Sequence, residues 1–134
     1  MRSIHLSSAL LATFLLAACG DNIEVYPDTT LAQSIVIAPA CPGSEAQISS
    51  ARLDGDTLVV TARYGGCAQT RIWACWDGEL GAGDPASASI VVHALPAGDC
   101  DALHENTATI SLEPMRAERP LMLHAGTFDL LWRP

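Results

Sequence analysis

A chain of 134 residues holds one domain of ordinary size. Its 15 acidic residues face seven arginines and no lysine, for a formal charge of −8. With the arginines scattered along the sequence, that balance excludes nucleic acid as a partner, because a phosphate-binding surface needs clustered lysine and arginine. It keeps a domain soluble and tolerates a cationic ligand.

Residues 1–18 read as a secretory signal. Arg2 and His5 supply the positive start, and residues 6–18 are an apolar core closed by small side chains. The core falls short of the roughly 20 apolar residues that cross a bilayer. Its end, Leu16-Ala17-Ala18-Cys19, resembles the lipobox of bacterial lipoproteins. The resemblance implies cleavage before Cys19, a diacylglycerol on its thiol and acylation of the new amino terminus. At about 0.8 kcal/mol per buried methylene, several acyl chains would make the membrane attachment effectively permanent. The next residue is Gly20 rather than the aspartate of inner-membrane retention, so the resemblance points to the outer membrane of the bacterial envelope, with Asp21 one place further on.

Residues 20–33 contain few apolar side chains and read as a flexible tether between the lipidated Cys19 and a domain spanning 34–134. Extended at about 3.1 Å per residue, the tether would reach roughly 40 Å.

From residue 34 the hydrophobic period changes to two. Strands are expected at 34–38, 47–53, 57–64, 68–76, 87–95, 107–112, 121–125 and 128–132, separated by Gly, Pro, Asp and Asn. Asp54-Gly55-Asp56 between the second and third is a tight-hairpin signal, because Gly supplies the positive φ such a turn requires. Turn chemistry accounts for both aspartates. Segments 97–106 and 114–119 have room for a single helical turn each. Seven or eight short strands predict an all-β fold, an immunoglobulin-like or Greek-key sandwich. Its expected core is Ile35, Ile37, Leu58, Val60, Ile72, Trp76, Ile90, Val92, Ile110, Leu112, Leu121, Leu123, Phe128 and Leu130, with Trp73 or Trp132 as a cap.

Besides Cys19 there are four cysteines, an even number that in an exported domain predicts two disulfides. Cys67 and Cys75 at the two ends of one extended strand would lie about 26 Å apart, well outside the roughly 4.4–6.8 Å that a bridge requires. A hairpin of 68–76 with 87–95 brings Cys67 toward Cys100 and leaves Cys41 for Cys75. No Cys-x-x-Cys pattern suggests zinc.

Tyr64-Gly65-Gly66-Cys67, His93 and Asp99-Cys100-Asp101-Ala102 resemble segments of small bacterial lipoproteins of unassigned function. The likeness covers about half of the chain after Cys19. It agrees with a Cys67–Cys100 bridge and implies no activity. Those lipoproteins often carry a histidine three residues after the Gly-Gly-Cys cysteine, where this chain has Thr70. Consecutive glycines permit a bulge or a close backbone approach, and a ligand-cradling nest at Gly65 and Gly66 is the functional version of that reading.

Catalytic patterns are absent from the sequence. There is no nucleophile elbow, phosphate loop or calcium loop, and His104-Glu105 lacks the second histidine of a zinc-protease motif because Ala108 stands there. The polar residues His93, Asp99, Asp101, His104 and Glu105 around Cys100 form the candidate site. They suit a transition metal if folding gathers them; otherwise they solvate a loop. The resulting expectation is a non-catalytic, cofactor-free envelope module that binds a protein or glycan partner or is structural. The alternative is a metal-binding lipoprotein using His93 and His104.

Overall fold

The computed structural model describes residues 32–95 and 98–134. The signal, Cys19 and nearly all of the tether lie outside these residues. Ten strands and one 3-10 turn are present: β1 (Gln33–Ser34), β2 (Val36–Ile37), β3 (Ser44–Glu45), β4 (Gln47–Asp54), β5 (Thr57–Gly65), β6 (Ile72–Trp76), β7 (Ala86–Ala94), β8 (Leu103–Ser111), the turn Glu113–Met115, β9 (Leu121–Ala125) and β10 (Phe128–Trp132). They form two sheets, one in the order β1-β8-β5-β4 and the other β10-β9-β7-β6-β2, with β3 also paired to β7. The all-β sandwich is the expected class.

Alternation decides which side chains meet between the sheets. Leu58, Val60, Ala62 and Tyr64 of β5 and Ala108 and Ile110 of β8 face Ile72 and Ala74 of β6, Ile90 and Val92 of β7 and Leu121 and Leu123 of β9 within one buried cluster. The small inward residues Ala46, Ala88, Ala94 and Ala125 are buried as well, although bulk-weighted alternation passes over them. Small side chains opposite large ones let the layers interdigitate.

Two segments pass from one sheet to the other. The expected single strand 34–38 is broken at Ile35, whose N–H donates to Ser111 O at 3.0 Å; β1 then pairs parallel with β8 and β2 parallel with β6. Crossing places Ile37 at a sheet edge, 46% exposed, which corrects its assignment to the core. Ala46 makes the second crossing: its N–H donates to Val92 O at 2.8 Å, between β3 on one sheet and β4 on the other. The broken strand and the unforeseen β3 bring the expected eight to ten. Gln33, assigned to the tether, is already paired with Ile110.

Other corrections are local. Residues 68–71 are not strand, and β8 begins at Leu103 rather than 107. Phe128 and Leu130 are half-buried because β10 is an edge strand, and Trp73 is half-buried on the outer face of β6, leaving Trp132 as the buried cap. The single turn expected within 114–119 is the 3-10 turn Glu113–Met115, and no helix occurs among the described residues of 97–106.

The β4–β5 hairpin has a two-residue turn, with Asp54 paired to Thr57 and Gly55 at φ +58°. Both disulfides are present: Cys67–Cys100 with α-carbons 4.7 Å apart, and Cys41–Cys75 with 6.3 Å. The β6–β7 hairpin forms as expected, but the ladder that delivers Cys67 to Cys100 is β5–β8. Gly65 pairs with Leu103, and Gly66 N–H donates to Ala102 O at 3.0 Å.

Candidate functional site

Two regions compete, one at each end of the sandwich. The first surrounds Cys67–Cys100. Here His104 on β8 lies opposite Tyr64 on β5, ring centroids 5.8 Å apart, and its Nε2 lies 2.9 Å from Gly66 O. A carbonyl only accepts, so that nitrogen carries the proton. Tyr64 Oη accepts from Thr70 N–H at 2.8 Å and donates to Thr70 O at 2.7 Å. Asn106 Nδ2 donates to the same carbonyl at 2.9 Å, and Thr70 Oγ1 donates to Leu95 O at 3.1 Å. Thr70 thereby joins β5 and β8 of one sheet to the chain leaving β7 of the other.

Glu105, on the outer face of β8, accepts from Arg63 Nε at 2.7 Å and from Ser49 Oγ at 3.3 Å. The Arg63 hydrogen bond holds its carboxyl below the usual carboxylate range, with the guanidinium charge and Ser49 assisting and desolvation opposing.

The predicted polar residues do not converge. His93 belongs to the other sheet, opposite Trp73 and Glu45, with a buried Nδ1 that has no hydrogen-bond partner. Asp99 and Asp101 are exposed on the loop before β8. No three His, Cys, Asp or Glu side chains gather to hold a metal among the described residues. Gly65 and Gly66 serve the β5–β8 ladder, and Gly66 offers its carbonyl to His104. This corner is a network of satisfied hydrogen bonds around a disulfide.

The second region is a cleft of about 790 Å³ at the opposite end. Its floor is apolar: Trp76 ends β6, Leu121 opens β9, and Met115 closes the 3-10 turn. Leu80 and Leu131 form exposed apolar walls, 52% and 37% accessible. The indole Nε1 of Trp76 donates to Glu79 O at 2.8 Å, so the ring faces the cleft with its polar atom already engaged. The 77–85 connection is held by Asp77 Oδ1 accepting from Glu79 N–H at 2.9 Å and by the Gly81–Ser87 bridge.

Arg116, Arg119 and Arg133 line this cleft together with Asp84 and Glu118. Three of the seven arginines thus share one cleft. Arg116 is the only non-glycine residue with positive φ among the described residues, at φ 48° and ψ 42°. An L side chain pays a steric cost in that left-handed conformation, and such positions cluster where a site needs them. The two ion pairs among the described residues are Arg63–Glu105 and His124–Asp129, so no carboxylate of the described residues lies within 4.0 Å of the three cleft guanidiniums. The lining contributes no Ser, Thr, Cys, His or Tyr side chain.

Sequence reasoning missed the cleft, although one signal was present. A hairpin of 121–125 with 128–132 puts the residues before 121 beside those after 132, and Arg119 and Arg133 occupy those places. The structure pairs Leu121 with Trp132. Arg116 and the apolar floor had no comparable signal, because they depend on how two unrelated connections pack.

The chain matches no protein-family model, no curated protein and no solved structure.

Proposed function

We propose that this protein is a lipid-anchored module of the bacterial envelope that binds a ligand in the arginine-lined cleft and performs no chemistry on it. The observation that carries the reading is the convergence on an apolar cleft of three guanidiniums with no ion-pair partner among the described residues, in a chain of net charge −8. The described lining has no hydroxyl, thiol or imidazole to serve as an activated nucleophile or its base, and its two carboxylates, Asp84 and Glu118, stand among three arginines, which supports binding. The lipobox supports the anchor. β1 pairs with the last residues of β8 and Ile37 of β2 pairs with Trp76 on the cleft floor, so the first described residues enter the fold near the cleft.

Two measurements test the reading. Labelled fatty acid should enter the wild type and not Cys19→Ala, whose domain should leave the membrane fraction; unchanged labelling removes the anchor. A photo-cross-linking amino acid at Leu80 should capture a ligand in living cells, while the same group at Leu103, 71% exposed at the other end, should not. Equal capture at both positions, or none at Leu80, would remove the cleft as the binding face.

A further inference from the structure

We infer that the ligand of this cleft is an anionic amphiphile, a hydrocarbon body bearing a phosphate or carboxylate head; the inference rests on the cleft being the binding face. Size is the first constraint. A volume of about 790 Å³ lies within the roughly 300–1,000 Å³ of small-molecule sites, so a bare inorganic anion would leave most of the floor uncovered. The floor and walls, Trp76, Leu80, Met115, Leu121 and Leu131, are apolar and match a hydrocarbon body better than a uniformly polar one such as a sugar, part of whose hydroxyls would lose their water against them.

The head is set by charge. A guanidinium is planar and permanently charged, and its fork of donors matches carboxylate and phosphate oxygens. Arg116, Arg119 and Arg133 present three such forks without a carboxylate of the described residues in ion-pair range. Asp84 and Glu118 line the same cleft, so its formal side-chain balance is one positive charge against −8 for the chain. Those two carboxylates repel a second anionic group placed near them and favour one compact head lodged among the arginines. A cationic amphiphile would meet the guanidiniums instead.

Such molecules have two sources in an envelope, phospholipid from the bilayer and free fatty acid. The first described residues enter the fold near the cleft, and the shared chemistry suits either source.

The test uses the full chain carrying Cys19→Ser, so that no attached acyl group competes, with its methionine methyls carbon-13 labelled. Dodecyl phosphate and dodecanoate should shift the Met115 methyl resonance, shift Met122, which pairs with the wall residue Leu131 on the outer face of β9, by less, and bind with measurable heat. Changing Arg116, Arg119 and Arg133 together to Gln should weaken binding at least tenfold, and changing them to Lys should restore part of it. The three side chains are exposed, so the variants should keep the wild-type circular dichroism and Met122 resonance. Dodecyltrimethylammonium should bind at least tenfold more weakly than dodecyl phosphate. Uptake of phosphatidylglycerol from vesicles would name the bilayer as the source, and binding of dodecanoate without such uptake would name free fatty acid. Equal affinity for the cationic probe, indifference to the Gln substitutions, or inorganic phosphate binding as tightly as dodecyl phosphate would overturn the inference. If no probe moves Met115 while the Leu80 cross-link still forms in cells, the ligand class is wrong and the cleft reading stands; if both fail, the cleft reading falls too.

Discussion

Trp132 Nε1 donates to Asp56 Oδ1 at 3.0 Å, joining the last strand of one sheet to the hairpin turn of the other across 76 positions of sequence. Trp132 is 2% exposed, and the main-chain carbonyl of Asp56 also accepts from Leu112 N–H at 2.9 Å. Asp56 is therefore more than a turn residue. It fastens the segment leading into the 3-10 turn and the strand end before Arg133, two borders of the cleft.

Asp56→Ala removes the acceptor and leaves a buried indole N–H unpaired. A loss of about 1–3 kcal/mol of stability is expected, measured by urea denaturation. The double variant with Trp132→Phe should cost less than the sum of the two single changes, because neither partner is then left alone. Strict additivity would show that the bond contributes nothing.

Tyr64→Phe tests the opposite end. The hydroxyl both accepts from and donates to the main chain of Thr70, and the ring is almost fully buried. Losing it should destabilise by about 1–3 kcal/mol and speed hydrogen exchange at the Thr70 amide. The Met115 methyl resonance should not move. A shift there would mean that the two ends of the sandwich are coupled.

Two glycines separate conformational from steric cost. At Gly55 a Cβ would meet nothing within 4 Å, so Gly55→Ala pays only for its φ of +58°, about 1 kcal/mol. At Gly43 the φ is +91° and a Cβ would stand 2.5 Å from Ala94 O, where β3 lies on β7. Gly43→Ala should cost about 2–3 kcal/mol, because a backbone atom cannot swing aside as a flexible side chain would. Equal midpoints for the two variants in thermal melts would contradict this ranking.

Glu105 predicts a pH dependence of definite sign. Its carboxyl is held below the ordinary range in the folded protein, first by the Arg63 hydrogen bond. The stabilisation it adds is present above the unfolded-chain value and disappears as pH falls through the lowered folded value. Denaturation of wild type and Glu105→Gln at a series of pH values should show a small gap that is constant near neutrality and closes in acid. Since both side chains are half-exposed, 1 M salt should shrink the gap. A gap that widens on acidification would reverse the assignment.

The sequence by itself determined the class of fold, the hairpin at Gly55, the pairing of the four cysteines and most of the large core residues. Alternation of period two selects a sheet and Gly permits a positive φ, both local to the chain; the cysteine pairs are the expected ones, but the β5–β8 ladder makes the Cys67–Cys100 bridge, since residues 68–71 are not strand. Tertiary structure alone decided where strands change sheets, which is why Ile37 is exposed although its alternation matches that of Ile35. It also separated His93 from His104, which are 11 positions apart in the chain but belong to different sheets. By the same means it brought together Arg116, Arg119 and Arg133 from two strand ends and a 3-10 turn. Periodicity reports which face of its own strand a residue occupies. It carries no information about which connections meet at the end of a sandwich, because that depends on sheet order and crossing points set by packing over the whole domain.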